Sequence, residues 1–194
     1  IANWATNISA GPARKSGEEG KSVDVCADLG GRCTTKKISA DGTLTYALAG
    51  NAHGSATVTV RLRDDGGGQD TSAAQLFTIT VNPVNDAPSF TSGADQTVDE
   101  DAPAQSIANW ATNISAGPAD EAGQALSFLV STTNGSLFSA PPALSAGGTL
   151  TYTLAGNAHG SATVTVRLRD DGGGQDTSAA QLFTIKVNPV NDAP

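Results

Sequence analysis

The sequence predicts an all-β protein of two tandem antiparallel β-sandwich domains in an elongated arrangement. Three observations carry this: a long internal repeat, period-2 hydrophobic alternation, and turn residues between the alternating runs. Ile1 to Ala13, IANWATNISAGPA, recurs letter for letter at Ile107 to Ala119, and Gly42 to Pro88 recurs at Gly148 to Pro194 with only Ala47→Thr153 and Thr80→Lys186 changed. The shift of 106 residues suits one compact domain, since solenoid repeats have periods of about 20–50 residues. Two units are expected, residues 1–88 and residues 89–194, each of about seven strands.

The elements follow in order along the better-patterned second copy. Leu126, Phe128 and Val130 alternate with polar neighbours, as do Leu150, Tyr152 and Leu154 in TLTYTLAG. Val164, Val166 and Leu168 alternate with Thr163, Thr165, Arg167 and Arg169, and Phe183, Ile185 and Val187 close the unit. A strand with one buried and one wet face has this period, because successive side chains point to opposite sides of the sheet. Between the runs stand Asn134-Gly135, Gly147-Gly148, Gly156-Asn157 and Asp171-Gly172-Gly173-Gly174, residues that accept turn conformations at little steric cost. No segment has the period of an amphipathic helix. Trp4 and Trp110, the only tryptophans, share one phase of the repeat; they read as core residues, with a sugar-stacking platform as the alternative.

Composition narrows the function classes. The chain is 38% hydrophobic and 5% aromatic, with 22 Gly, 9 Pro, no Met and a net charge of −8. An acidic protein lacks the basic patch that would displace counterions from a nucleic acid, so no nucleic-acid partner is expected. No apolar run approaches the ~20 residues that span a bilayer, so no membrane insertion is expected in this segment. With no initiator Met, Ile1 reads as an internal cut, and any export signal or anchor is expected outside this stretch.

Each closing strand runs into the same proline-bearing segment, Asn82 to Pro88 and Asn188 to Pro194. Proline donates no ladder hydrogen bond and restricts its predecessor, so these segments read as short, stiffened linkers. VNPVNDAP closing a unit, VDEDAP at Val98 to Pro103, and the strand–Asp-Asp-Gly–strand pattern together resemble the bacterial cadherin-like (Ig-like) tandem repeats of large adhesins and exoproteins. The resemblance covers the chain apart from Arg14 to Asp41. It implies an Ig/cadherin-like sandwich, an extracellular or bacterial-surface location, and calcium at the junctions between repeats.

The resemblance also implies which residues hold that calcium. Asn85 and Asp86 match the Asn-Asp of the linker. Glu100 matches a first-strand glutamate serving the far end of its own domain together with Asn191 and Asp192, and Asp120 and Glu121 stand where the following domain places its acidic pair. Oxygen ligands of this kind suit calcium, which takes about 6–8 of them. The alternative for Asn and Asp here is turn hydrogen bonding. The acidic loop expected ahead of the penultimate strand is instead Ala49-Gly50-Asn51-Ala52-His53-Gly54, without a carboxylate. Asp64-Asp65 and Asp170-Asp171 read as hairpin-turn residues or as a second calcium site.

Arg14 to Asp41 breaks the pattern. It matches Asp120 to Gly147 in length but shares almost none of its letters, putting Arg14-Lys15 in place of Asp120-Glu121. It is expected to form polar, poorly packed strands, because Leu126, Phe128, Val130, Leu137 and Phe138 have no apolar match. It holds the only cysteines, Cys26 and Cys33, too few for a zinc site and free either to pair as a disulfide or to remain thiols.

Catalysis finds no motif. The histidines, His53 and His159, occupy equivalent Asn-Ala-His-Gly turns and read as solvated, and no nucleophile–base pattern or phosphate loop appears. A non-enzymatic role follows: a structural or adhesive repeat of a large bacterial surface or secreted protein. The alternative is a carbohydrate-binding module, or a spacer of a secreted polysaccharide-degrading enzyme, binding surface polysaccharide through Trp4, Trp110, Tyr46 and Tyr152. Ser89 to Ser106 has no counterpart ahead of Ile1, so the first unit is expected to expose a sheet edge. Neighbouring repeats or copies of the chain are then expected to complete it by strand addition, giving head-to-tail association.

Overall fold

The computed structural model describes residues 22–27, 33–38, 42–64 and 68–192. The chain divides into two compact units, Ile1–Val84 and Asn85–Pro194. The division falls ahead of Asn85 rather than after Pro88, so the Asn-Asp pair belongs to the second unit. Both units are built of strands.

The second unit shows what the alternation produces. Its strands are β6 (Ser89–Thr91), β7 (Gln96–Asp99), β8 (Gln105–Ile107), β9 (Thr112–Ser115), β10 (Ser127–Thr132), β11 (Phe138–Leu144), β12 (Leu150–Leu154), β13 (Gly160–Arg169) and β14 (Gln181–Asn188). One sheet runs β10-β13-β14-β7, a second β11-β12-β8, and β6 pairs with β9. The pairs are antiparallel except one: β7 lies parallel to β14, with Ile185 opposite Gln96 and Asn188 opposite Asp99. An early strand of the unit, its second, thus pairs beside the strand that ends it.

Between the sheets lies a single core. Along β13 the buried residues are Ala162, Val164, Val166 and Leu168, and along β14 they are Phe183, Ile185 and Val187. Leu150, Tyr152 and Leu154 face them from β12. Burying each such large side chain contributes about 1.5–3 kcal/mol. Phe90 meets Phe128 edge-on at 5.2 Å between centroids, and Phe138 meets Tyr152 likewise at 5.9 Å. The Gly147-Gly148 turn is held against the segment after Trp110: Ala111 N–H donates to the Gly148 carbonyl at 3.0 Å. Gly148 has φ +84°, and a Cβ there would run into the Ala111 carbonyl, so this turn needs glycine for both conformation and space.

Tyr152 carries a polar atom into this core. Its ring is 2% exposed and its hydroxyl has no hydrogen-bond partner among the described residues; burial pushes its pKa above the ordinary 10.0. An unsatisfied buried hydroxyl costs about 1–3 kcal/mol. Tyr152→Phe is therefore expected to leave the unit equally stable or stabilise it by about 1 kcal/mol, checked by urea unfolding.

The described strands of the first unit are β1 (Ser22–Ala27), β2 (Cys33–Ile38), β3 (Leu44–Leu48), β4 (Gly54–Arg63) and β5 (Gln75–Val81), in sheets β1-β4-β5 and β2-β3. Ile38, Leu44, Val58 and Val60 form a small core, with Tyr46, Phe77 and Ile79 packed against it. The two described strands of the divergent segment take the same places as their counterparts. Ser22 pairs opposite Arg63 as Ser127 does opposite Arg169, and Ile38 opposite Leu44 as Leu144 does opposite Leu150. These strands join different sheets. One residue fewer separates Cys33 from Ile38 than Phe138 from Leu144, and β11 takes up its additional residue at the register shifts around Pro141-Pro142. Cys26 lies on β1 and Cys33 on β2, and their side chains, with the choice between a disulfide and free thiols, lie outside the described residues, as do Trp4, Arg14, Lys15 and Asp65.

Candidate functional site

The residues that begin the second unit are gripped by its loops. A single 3-10 turn, Ala119–Glu121, points Glu121 inward, where it is 6% exposed, while Asp120 stays exposed. Glu121 Oε1 accepts the Asp86 backbone N–H at 2.9 Å. The Asn85 side-chain amide donates to Asp170 Oδ1 at 3.2 Å, to the Gln175 carbonyl at 3.1 Å and to the Asp86 carbonyl at 3.1 Å. Gln124 Nε2 donates to Asn85 Oδ1 at 2.7 Å. Asp170, from the end of β13, is 4% exposed. Glycines make room: a Cβ at Gly117 would fall on Glu121 Oε2, and one at Gly172 on Asn85 Oδ1.

Three oxygens in this cluster are buried without a hydrogen-bond partner among the described residues: Glu121 Oε2, Asp170 Oδ2 and Gln124 Oε1. Buried carboxylate oxygens are costly to leave unpaired, and here two carboxylates and an amide do so around one dipeptide. Among the described residues no group of three or more His, Cys, Asp and Glu is arranged as a metal site. The donor set here is of another kind, two carboxylates with amide and backbone oxygens, which is the chemistry of calcium.

Of the residues the sequence singled out, Asn85, Asp86 and Glu121 come together, but Asp86 contributes its backbone and its side chain is exposed. Asp170 takes the turn role, Oδ1 accepting the Gly172 N–H at 2.9 Å, while its Oδ2 has no hydrogen-bond partner among the described residues. Asp171 Oδ1 caps the Ala125 N–H at 2.9 Å. Gln124 was missed, because a lone glutamine in a polar loop carries no pattern.

Glu100 sits elsewhere in the unit with both oxygens occupied. Oε1 accepts the Val190 N–H at 2.8 Å, and Oε2 lies 3.3 Å from His159 Nδ1. Asn191 and Asp192 are exposed and bond each other, the Asn191 amide donating to the Asp192 carbonyl at 3.0 Å. Glu100 therefore holds the backbone at Val190, and His159, exposed as its sequence reading expects, is its second partner. The aromatic platform is not available at two of its positions: Trp110 is 3% exposed and Tyr152 2%.

Residues 85–183 match the family described as bacterial Ig domain. The chain belongs to that family. No curated protein matches it. Its fold is similar to that of two crystal structures of human protocadherin-24 EC1-2, each with a TM-score of 0.53. One is 14% identical, covering 87% of this chain and 82% of that one, and the other 15%, covering 89% and 83%. At such identity the likeness is one of fold, and it makes this bacterial Ig domain chain cadherin-like in architecture. No helix among the described residues is long and apolar enough to cross a membrane.

The hairpin beside the cluster carries a second carboxylate clasp. Asp176 accepts from Thr177 Oγ1 at 2.8 Å and from Arg169 Nε at 3.0 Å, and these bonds, Thr177 first, hold its carboxyl below the ordinary 3.8. Asp70 repeats the arrangement with Thr71 and Arg63. A lowered folded pKa stabilises above the ordinary value and is lost as pH falls through the folded one. The clasp is thus expected to hold at pH 5 and to release below 3.8, read from the carboxyl carbon shift of Asp176 during an NMR acid titration.

Proposed function

We propose that this bacterial Ig domain chain is a structural and adhesive repeat of a large bacterial surface or secreted protein. It serves as an extender or fibre-forming module, extracellular and without catalytic activity. Calcium fastens the leading residues of the second unit to its body. One observation carries the calcium reading: Glu121 and Asp170, both buried, each keep an oxygen without a partner while their other oxygens hold Asp86 and Asn85. The cation would be held by these carboxylates with Gln124, Asn85 and backbone carbonyls, and it would supply positive charge where two buried carboxylates face the same dipeptide. Asp120, exposed beside Glu121, adds to the attraction. The reading rests on Glu121 and Asp170 rather than on Glu100, both of whose oxygens already have partners. The near-identity of the two copies suits repetition and length. The burial of Trp110 and Tyr152 counts against a polysaccharide platform.

Calorimetric titration of the chain with calcium is the test. Binding in the range of extracellular modules, about 10⁻⁴–10⁻³ M, is expected for the parent. Glu121→Gln with Asp170→Asn should remove it, and Glu100→Gln should not. Binding unaltered by the double substitution would refute the site.

A further inference from the structure

Beside the turn that follows β13, the surface of the second unit opens into a cavity of about 440 Å³. Its walls include Leu126 and Ser127 from the entry to β10, and Arg169, Asp170, Asp171 and Asp176 from the end of β13 and the turn after it. Cavities that take small ligands run about 300–1,000 Å³.

Bonds made within the unit hold this lining in place. Ala125 N–H donates to Asp171 Oδ1 at 2.9 Å, which joins the two walls. Ser127 stands opposite Arg169 in the ladder of β10 with β13. Arg169 Nε donates to Asp176 Oδ2 at 3.0 Å, Asp170 N–H to the Asp176 carbonyl at 3.0 Å, and Gly172 N–H to Asp170 Oδ1 at 2.9 Å. Groups already ordered lose little freedom when a ligand arrives.

These bonds leave over a mixed set of donors and acceptors. The Arg169 Nη1 and Nη2 groups, the Ser127 hydroxyl and Asp171 Oδ2 have no partner among the described residues. Asp170, in the same wall and 4% exposed, keeps Oδ2 unpartnered. A simple cation would meet only the carboxylates, and a simple anion only the guanidinium. Hydroxyl groups meet both, because each donates one hydrogen bond and accepts others. Leu126 adds an apolar contact for carbon–hydrogen groups. Three carboxylates stand against one guanidinium in the lining, so a negative charge on the ligand is repelled.

We infer that this cavity binds one uncharged hexose residue of a glycan, with neighbouring hydroxyls donating to Asp171 and accepting from Arg169 and Ser127. No aromatic ring lines it among the described residues, so hydrogen bonds rather than stacking hold the sugar, and the affinity falls in the millimolar range. Sugar binding here deepens the adhesive role proposed above and rests on it. Asp171, Arg169 and Ser127 stand outside the calcium set, so it can fail while the cation site stands.

Glucose, galactose and mannose, titrated in turn into the full chain in chelator and followed by the backbone amide NMR shifts of Ser127, Asp171 and Gly173, test this. At least one hexose is expected to move these amides to saturation, and glucuronic acid is not. Asp171→Ala should weaken binding at least about tenfold, since it removes a hydrogen bond to a charged group. Ser127→Leu, at an exposed strand position, should fill the cavity and abolish binding. Both variants should keep the parent's circular dichroism spectrum and its response to calcium. No saturable shift with any of the three hexoses, shifts confined to other amides, equal binding of glucuronic acid, or binding unaltered in both variants would overturn the inference.

Discussion

Replacing Trp110 by alanine is expected to destabilise the second unit by about 3–5 kcal/mol, the largest effect of any single substitution argued from this structure. The indole is 3% exposed, packs on Phe183 at 4.3 Å between ring centroids, and donates from Nε1 to the Ala94 carbonyl at 3.0 Å. Its removal empties the space between β14 and the segment leading into β7, and leaves the Ala94 carbonyl to find another donor. A small domain is stable by only about 5–15 kcal/mol in all, so the variant unit should stand near its limit. Gly93→Ala probes the same contact from the other side, because a Cβ there would lie 2.7 Å from the Trp110 ring and 2.6 Å from its carbonyl. Crowding of this kind costs about 1–3 kcal/mol. Trp110→Phe should fall between the two, keeping an aromatic face and losing the hydrogen bond. Urea unfolding resolves the three. Equal midpoints for parent and Trp110→Ala would show that the indole does not hold this core.

The second large effect is expected from calcium and reverses sign with the metal. Without calcium, Glu121 and Asp170 are two buried carboxylates with unpartnered oxygens, so Glu121→Gln with Asp170→Asn should leave the second unit as stable or more stable. With about 10 mM calcium and the affinity of an extracellular module, binding to the folded state adds about 1.4–2.7 kcal/mol to the parent. The double variant gains none of it. Melting temperatures measured in chelator and in calcium should therefore cross over: the variant higher in the first, the parent higher in the second. β-structure persists in both, because the core of Leu150, Tyr152, Val164, Val166, Leu168 and Ile185 owes nothing to the cluster. Parallel responses of parent and variant would assign any calcium effect to general screening of an acidic surface.

The fold class, the tandem units and the turn positions were legible in the sequence because each rests on short-range pattern. Val164, Val166 and Leu168 alternate because a pleated strand alternates. Asn157 adopts φ +56° in its turn because asparagine tolerates that conformation. Forty-seven consecutive residues recur with two changes, so the same local pattern is written into both units. The sequence also led to Asn85, Asp86 and Glu121 through the resemblance, and to Asp170 through its place beside the glycines.

Only the tertiary structure decided which groups meet. Glu121 and Gln124 from one loop and Asp170 from another converge on Asn85-Asp86, far from both in the chain, and no local spacing encodes such a meeting. The same holds for Glu100, whose partners Val190 and His159 arrive from two other strands' ends, and for Trp110, whose burial depends on Gly93 and Phe183. The parallel seat of β7 on β14 is the clearest case. β5 and β14 carry almost the same letters, so their different burial is not a property of either strand. It belongs to what each packs against, for β14 Trp110 and the facing strand β12 as well as β7, long-range contacts made only once the chain has closed on itself.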